Sequence, residues 1–467
     1  MNKLISTLLC AFVAFQFVAC ASQKTTQKAP PGYVQKGNGS FQLQPYKEKT
    51  LANGLKLVFI QDSTLPRISL TMLVKTGTMQ EPIAGLNALT AYLLEQGTQT
   101  RDAMRVADDF GQIGSSLDIA PGADFTTIYS DALSMDANEV LTLFSDVTMN
   151  PAFKDREINR LRSQMLAGLQ KKIDNPSSFT DDEADQFLFG EHPYSRDVNG
   201  TKESLPQIRK QDIIKHYLTF YRPNNASLAV VGNISPEFEN KVEEIFSKWT
   251  KRTAPDVKVT APPAIEGLQV KLIVKKNLQQ TQIRISQLGI ERASADYIRV
   301  RVANETLGGG FASRLNQKVR DDLGLTYSIY SYFDTRKEKG SFEISTFTKN
   351  ETAGQTLEES LKVLKDYVGT GPNETELAAA KNQLIGQFPR AIETADRLAF
   401  NILALDFYGI GIDYLTDFNK NVTAIHLKDI NQTIQKHFDP TKVKVTIYGD
   451  AKIIPQFEKY KPTIERL

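Results

Sequence analysis

The sequence predicts an α+β protein built from two homologous domains, each a mainly antiparallel sheet packed with helices. Strand-like segments are followed by long helices and do not alternate with them one by one, which argues against a doubly wound parallel sheet. A proline-containing stretch without helical period, residues 251–267, separates two parts of nearly equal size. A chain of 467 residues is long enough for two or more such domains.

Two pairs of segments indicate that the second part is a copy of the first. Residues 208–233 align without a gap on residues 425–450 at an offset of 217, and each copy reads as a helix, a proline stop and an apolar strand ending at glycine. Residues 157–166 align on residues 376–385 at the similar offset of 219. A unit of this length is too long for a solenoid repeat, so duplication of a whole domain is the simpler explanation.

Hydrophobic periodicity predicts the main elements of each half. In the first half it predicts strands at 55–60, 68–74 and 125–133, a buried helix at 86–95 and a helical face from 158 to 169. In the second half it predicts strands at 270–274, 281–288 and 341–347, and helices from about 298 and from 374. The pairing order of the strands does not follow from periodicity.

The N-terminus predicts export. Lys3 precedes an apolar run that ends at Cys20, and this run is too short for a membrane span and is followed by polar sequence. Residues 1–20 are interpreted as a lipoprotein-type signal peptide with lipidation at Cys20, and residues 21–45 as a flexible tether. Plain secretion with cleavage nearby is the alternative. The expected location is the periplasm or outer membrane of a Gram-negative-type bacterium, with the lipid as the sole membrane anchor.

Charge and cysteine content argue against a nucleic-acid-binding protein and against a protein stabilised by internal disulfides. With 56 basic and 54 acidic residues, the net charge of +2 gives no argument for a nucleic-acid partner. The two cysteines are Cys10 and Cys20, and Cys10 would leave with the signal peptide, so no internal disulfide is expected.

An apolar helix bounded by glycines, GLNALTAYLLEQGT at 85–98 with Glu81 upstream, resembles the opening of the pitrilysin/insulinase-type zinc peptidases. That family includes bacterial relatives of the mitochondrial processing peptidase. The resemblance covers nearly all of residues 48–450, and its most specific stretch is GGGFASRLNQKVRDDLGLTYSIYS at 308–331. It implies two homologous domains arranged as a clamshell.

The family resemblance assigns the two domains different roles. The N-terminal peptidase-like domain spans 46–250 and holds the family's metal site, and the C-terminal domain spans 268–467 and holds its substrate-binding Arg and Tyr.

The positions that bind zinc in the family carry no ligand in this sequence. The family helix carries H-x-x-E-H, in which two His on one helix face hold Zn²⁺ and the Glu polarises the bound water. Ala88, Ala91 and Tyr92 occupy these three positions, and Gly168 occupies that of the third ligand, a Glu. The resemblance therefore implies a degenerate site and no metal in this chain. Packing, capping or turn roles are expected for the histidines, which are His192, His216, His426 and His437.

The family's substrate-binding pair is kept as Arg314 and Tyr327. A guanidinium can bind a peptide carbonyl or carboxylate, and a phenol can donate to the oxyanion that forms when water attacks an amide. The competing explanation is structural, with Arg314 paired to Asp321 or Asp322 and Tyr327 in a core.

The predicted substrate-binding residues also include Gly308, Gly309 and Gly310. They are expected to open a helix whose free N–H groups could contact an anionic group. The alternative is a tight strand-to-helix turn that glycine permits.

These features favour the non-zinc subunit of a heterodimeric metallopeptidase. In this hypothesis a homologous partner subunit binds the zinc, and this chain binds a peptide or an unfolded protein and contributes Arg314 and Tyr327 in trans. The alternative is a non-enzymatic, peptide-binding or scaffold lipoprotein of the cell envelope. A peptidase active by itself would need a metal site that the sequence does not reveal.

Overall fold

The computed structural model describes residues 33–35, 39–255, 257, 259 and 261–467. The strands are β1 (Tyr33–Gln35), β2 (Phe41–Leu43), β3 (Tyr46–Thr50), β4 (Lys56–Gln61), β5 (Arg67–Val74), β6 (Leu117–Pro121), β7 (Thr126–Leu133), β8 (Ala226–Gly232), β9 (Gln269–Val274), β10 (Gln280–Leu288), β11 (Ile329–Asp334), β12 (Ser341–Lys349), β13 (Lys444–Gly449) and β14 (Thr463–Arg466).

The α-helices are α1 (Leu86–Tyr92), α2 (Ala103–Gln112), α3 (Ala137–Met149), α4 (Asp155–Lys172), α5 (Pro176–Phe189), α6 (Lys210–Phe220), α7 (Pro236–Ser247), α8 (Tyr297–Asn304), α9 (Ala353–Thr370), α10 (Glu374–Gln387), α11 (Ala395–Tyr408), α12 (Asp413–Thr416), α13 (Phe418–Thr423), α14 (Leu427–His437) and α15 (Ile454–Phe457). Two π-helical segments, Glu305–Gly309 and Asn316–Asp322, follow α8.

Two six-stranded sheets form the frame of the molecule. Their orders are β3-β4-β8-β5-β7-β6 and β14-β9-β13-β10-β12-β11. The β4–β8, β9–β13 and β9–β14 pairs are parallel, and the other neighbours within these two sheets are antiparallel. The predicted α+β class with mainly antiparallel sheets is confirmed.

The second sheet repeats the first strand for strand. β4 to β8 occupy the same places as β9 to β13, and the two sheets differ only in the strand that covers one edge. In the first sheet this strand, β3, is antiparallel to β4, whereas β14 in the second sheet is parallel to β9. The helix-proline-strand segments found in the sequence are α6–β8 and α14–β13, as a domain duplication predicts.

Each half places one helix on the sheet of the other half. Helix α5 packs on β10 and β13, and helix α11 packs on β8 and β5. The two helices have equivalent positions in the repeat, since their first residues, Pro176 and Ala395, are 219 apart. Residues 31–467 form one compact unit, in which each half completes the core of the other.

Ion pairs fix both exchanged helices. On α5, Asp181 lies 2.6 Å from Arg284 Nε of β10. On α11, Asp396 lies 3.0 Å from Arg67 Nη1 of β5, and Asp406 lies 2.9 Å from Lys56 Nζ of β4. The stretch 251–267 therefore separates the two halves along the chain, but the halves are in close contact in the folded structure.

Part of the segment predicted as a flexible tether is folded. β1 and β2 pair antiparallel, and Phe41 is only 2% exposed, with its ring 5.6 Å from that of Phe388. The tether prediction is wrong for these residues because one aromatic side chain fixes an otherwise polar stretch to the second half. The signal peptide at 1–20 and the lipidation site at Cys20 lie outside the described residues. Among the helices that the structure describes, none has the length and apolar character needed to cross a bilayer.

Candidate functional site

Helix α1 begins at a tightly fixed turn. The buried carboxylate of Glu81 accepts hydrogen bonds from the backbone N–H groups of Gly85, at 3.1 Å, and Asn87, at 2.8 Å. Gly85 has a φ of +84°, and a Cβ at this position would lie 2.9 Å from the Cα of Gly200, so only glycine fits. Burial raises the pKa of Glu81 to about 8. The N-terminus of α1 is thus held in place by side-chain and backbone contacts together.

A buried polar network holds α1 against α6. Asn87 Oδ1 lies 3.1 Å from His216 Nε2, and Asn87 Nδ2 donates to Thr126 Oγ1 at 3.0 Å. Thr76 Oγ1 is 3.3 Å from both Asn87 Oδ1 and His216 Nε2. Burial lowers the pKa of His216 to about 3, so this histidine is neutral at physiological pH. Its hydrogen bonds give it a structural role, as the sequence predicts.

The positions at which the family resemblance predicts zinc ligands in the first half carry side chains that do not fit zinc. Ala88 and Ala91 are fully buried on α1, and the half-buried phenol of Tyr92 has a pKa raised by burial. Gly168 lies on α4, which packs against α1, and a Cβ added there would meet no atom within 4 Å. Within the described part of the chain, no group of three or more His, Cys, Asp or Glu could hold a metal ion.

Arg314 is paired within the chain, but its partner differs from the acids considered in the sequence. Its Nε lies 2.7 Å from Glu376 Oε1, and its Nη2 lies 2.8 Å from Glu376 Oε2. Nη2 also donates to Gly371 O at 2.6 Å, and Nη1 donates to Thr370 Oγ1 at 3.0 Å. These bonds use four of the five guanidinium N–H donors, so one N–H of Nη1 remains for a ligand.

Tyr327 is exposed, and its hydroxyl has no hydrogen-bond partner among the described residues. Its side chain is 81% exposed in the loop that precedes β11, which excludes a core position. Arg320 fixes this loop, since its Nε donates to Tyr327 O at 3.0 Å. The same guanidinium lies 5.8 Å from the centre of the Tyr327 ring and 4.8 Å from that of Phe311, which is also exposed.

The glycines at 308–310 end a helix and do not open one. Gly308 and Gly309 lie in the π-helical segment that continues α8, and the N–H of Gly310 donates to Glu305 O at 3.2 Å. The expectation that they open a helix is wrong because the next helical residue is Arg314. Close packing explains the residue type at Gly308, where a Cβ would lie 2.4 Å from Ser331 Oγ.

Sequence reasoning missed two residues of this region, Glu376 and Arg320. Glu376 is the third residue of α10, where its carboxylate also accepts from the N–H of Asn373 at 2.7 Å. An Asn followed three residues later by Glu is a capping signal that could have located this carboxylate. Arg320 has no comparable sequence signal, because its contacts with Phe311 and Tyr327 depend on the π-helical path of the chain.

Two family models match this chain. The model described as "Insulinase (Peptidase family M16)" matches residues 56–202, and the model described as "Peptidase M16 inactive domain" matches residues 207–384. A Bacillus subtilis protein named "Uncharacterized zinc protease YmxG" is 26% identical over 355 residues, which cover 75% of this chain and 85% of that protein. A Helicobacter pylori protein named "Non-peptidase homolog YmxG" is 24% identical over 375 residues, which cover 79% of this chain and 85% of that protein.

Solved structures agree with these matches. The "peptidase M16 inactive domain" from Pseudomonas fluorescens superposes with a TM-score of 0.80 and 28% identity, over 87% of this chain and 98% of that chain. A protease from Helicobacter pylori has a TM-score of 0.80 at 18% identity, over 87% of this chain and 100% of that chain, and shows the fold alone. The resemblance to the pitrilysin/insulinase-type peptidases is confirmed: this chain belongs to the M16 peptidase family.

Proposed function

We propose that this chain is the non-zinc subunit of a two-chain M16 peptidase, in which it binds the peptide and a homologous partner binds the metal. The observation that carries the proposal is the free phenol of Tyr327, which is 81% exposed although its loop is fixed by Arg320. Phe311 is exposed as well and faces the same Arg320 guanidinium, and neighbouring exposed aromatic side chains are typical of a binding surface. The metal positions of the first half, in contrast, offer no ligand.

Tyr327 is suited to hydrogen-bond a peptide carbonyl oxygen. The phenol O–H is a hydrogen-bond donor, and its bond strengthens as negative charge develops on that oxygen during attack on the amide. The partner's zinc would supply the activated water. This chain would supply the donor and the surface on which the peptide lies.

Arg314 has a narrower role in this proposal than the sequence suggests. Because Glu376, Gly371 and Thr370 occupy four of its N–H donors, it can offer one hydrogen bond to a peptide carbonyl and cannot bind a carboxylate with two. We therefore expect Arg314 to orient the peptide backbone while the Glu376 pair stays intact.

The test is peptide hydrolysis by the chain reconstituted with a zinc-binding M16 homologue that co-purifies with it. Removing the donor with Tyr327→Phe should lower kcat/KM about 100-fold, the usual effect of losing one oxyanion donor. Tyr330→Phe is the matched control, because Tyr330 is an exposed tyrosine on the adjoining strand β11. Equal hydrolysis by the wild type, Tyr327→Phe and Arg314→Ala pairs would reject the shared-site mechanism.

A second candidate function is a non-enzymatic peptide-binding or scaffold role at the cell envelope. The near-complete engagement of the Arg314 guanidinium within the chain favours it, since a structural ion pair needs no substrate. Under this proposal no zinc-binding homologue co-purifies, and the chain binds extended peptide without cleaving it.

The exported location is also a proposal, supported by the apolar run that ends at Cys20. A Cys20→Ser variant should lose the lipid, which mass spectrometry of the mature N-terminus detects, and move from the membrane to the soluble fraction. An unmodified N-terminus in the wild type would favour plain secretion.

A further inference from the structure

A cavity of about 550 Å³ lies beside α8 and α11, away from Arg314 and Tyr327. Two arginines line it: Arg292, in the loop between β10 and α8, and Arg301, on α8 itself. Its other described lining residues are aromatic, aliphatic or uncharged polar, with no Asp or Glu among them. A volume of this size falls in the range of about 300–1,000 Å³ that is typical of small-molecule sites.

Neither arginine forms an ion pair with a carboxylate among the described residues. The guanidinium carbon of Arg292 lies 3.9 Å from the centre of the Tyr297 ring and 4.6 Å from that of Tyr414. Arg301 donates from Nη1 to the Tyr414 hydroxyl at 3.2 Å and lies 5.2 Å from the centre of the Phe418 ring. Stacking uses the face of a guanidinium and leaves its in-plane N–H groups available to an anion.

Two carboxylates act on this site from outside its lining: Glu305, one helical turn beyond Arg301, interacts electrostatically with Arg301, and Asp124 is hydrogen-bonded to other groups. Asp124 accepts hydrogen bonds from the hydroxyls of Tyr194, at 2.6 Å, and Tyr408, at 3.1 Å, and from the N–H of Lys337, at 2.8 Å. Tyr408 lines the cavity, and burial raises the pKa of its phenol, which stays neutral. The two arginines therefore dominate the charge inside the cavity.

Aromatic side chains form much of the remaining lining, and one of them comes from the first half. Phe125 lies 6.3 Å from Phe400 and 6.3 Å from Tyr408, measured between ring centres, and all three rings line the cavity. Since Phe125 belongs to the first half and the other lining residues to the second, the complete site forms only when both halves are folded together. The cavity thus combines an apolar wall with two cations, the pattern of a site for an amphipathic anion.

We propose that this cavity binds an organic anion whose carboxylate lies next to an aromatic or aliphatic group. The carboxylate contacts the N–H groups of Arg292 and Arg301, neither of which has a carboxylate of the described residues within ion-pair distance. The apolar group packs against Phe125 and Phe400. The same chemistry occurs in a free carboxylic acid and in the C-terminal residue of a peptide.

The experiment is calorimetric titration of the full chain with 3-phenylpropionate and with its neutral amide. The acid should bind at least about tenfold more tightly than the amide, because a charge-assisted bond to arginine contributes at least about that factor. Arg292→Gln should lower the affinity for the acid about tenfold. Arg299→Gln is the matched control and should leave the affinity unchanged, since Arg299 lies on α8 beside Arg301, does not line the cavity and has its side chain about half exposed.

A second arm distinguishes the two sources of the carboxylate. A short peptide ending in phenylalanine is titrated in its free-acid and C-terminal amide forms. Tighter binding of the free-acid peptide than of 3-phenylpropionate assigns the site to peptide C-termini, and binding of 3-phenylpropionate alone assigns it to small acids. Equal affinity for acid and amide, no binding of either acid, or unchanged affinity in both Arg292→Gln and Arg301→Lys would overturn the proposal. None of these readouts depends on peptidase activity.

Discussion

Arg314 and Glu376 form a forked ion pair, with Nε 2.7 Å from Oε1 and Nη2 2.8 Å from Oε2. The hydrogen bond from Arg314 is the first cause of the lowered pKa of Glu376, and the pair in turn raises the pKa of Arg314. Glu376 also caps α10 through Asn373. One carboxylate thus joins the helical turn that begins at Arg314 to the start of α10.

This double role predicts a measurable loss of stability on Glu376→Ala. The variant loses both the cap contact and the partly exposed ion pair, and we expect the free energy of unfolding to fall by about 1–2 kcal/mol. Urea unfolding measures the change. Glu374→Ala is the matched control, because Glu374 lies exposed in the same helical turn. An equal loss in both variants would show that the helix dipole alone is responsible.

A larger effect is expected where α5 meets the second sheet. Arg284 is 1% exposed, and it lies 2.6 Å from Asp181 and 3.5 Å from the buried carboxylate of Glu343. Burial raises the pKa of Glu343 to about 7, and Arg284 is the main group that opposes this rise.

Arg284→Met should therefore lower the free energy of unfolding by about 3–5 kcal/mol, because it leaves a buried carboxylate without its cation. Arg299→Met, at a half-exposed arginine, should change it by less than about 1 kcal/mol. Chemical denaturation followed by circular dichroism compares the two variants. A small effect of Arg284→Met would mean that the exchanged helix is held by apolar packing and not by this ion pair.

His216 predicts a pH dependence of stability with a defined sign. Its pKa falls from 6.5 to about 3 on burial, so between these values the unfolded chain binds a proton that the folded chain does not. The free energy of unfolding should decrease as pH falls below about 6.5, by up to about 1.4 kcal/mol per pH unit from this group.

The contribution of His216 to this pH dependence is obtained by comparing the wild type with a variant that lacks the histidine. Urea unfolding of the wild type and of His216→Gln is measured at several values between pH 4 and pH 6.5. The free energy of unfolding should fall more steeply on acidification for the wild type than for the variant. The difference between the two slopes should correspond to close to one proton taken up on unfolding. Parallel curves would mean that His216 is protonated in the folded state.

We predict that the isolated chain does not hold zinc, because Ala88, Ala91, Tyr92 and Gly168 stand where the family resemblance predicts metal ligands. After dialysis against micromolar zinc, elemental analysis should find far less than one zinc per chain, and a chelator should leave Tm unchanged. The quadruple variant Ala88→His, Ala91→Glu, Tyr92→His and Gly168→Glu serves as a positive control, because it restores the ligand types that hold zinc. Stoichiometric zinc in a wild-type chain that cleaves peptide would contradict both the degenerate site and the proposed division of labour.

The buried elements could be predicted from sequence because their patterns are strong. The strand predicted at 68–74 corresponds to β5 (Arg67–Val74), and the helix predicted from 374 is α10, with Leu377 and Leu384 buried on one face. The edge strand β3 was not predicted, because its five residues are mostly exposed and so give no alternation of apolar and polar positions. The exchange of α5 and α11 was not predicted either, because amphipathicity shows which face of a helix is buried and not which sheet buries it.

The sequence by itself determined the family and the duplication, because both depend on residue types at fixed spacing. Ala88, Ala91 and Tyr92 exclude a zinc site in that helix whatever the surrounding fold. Only the tertiary structure decided that Arg314 is paired with Glu376 and that Arg292 and Arg301 share a cavity. These relationships join residues distant in the chain, and the direction and burial of each side chain depend on how the two sheets and their exchanged helices pack together.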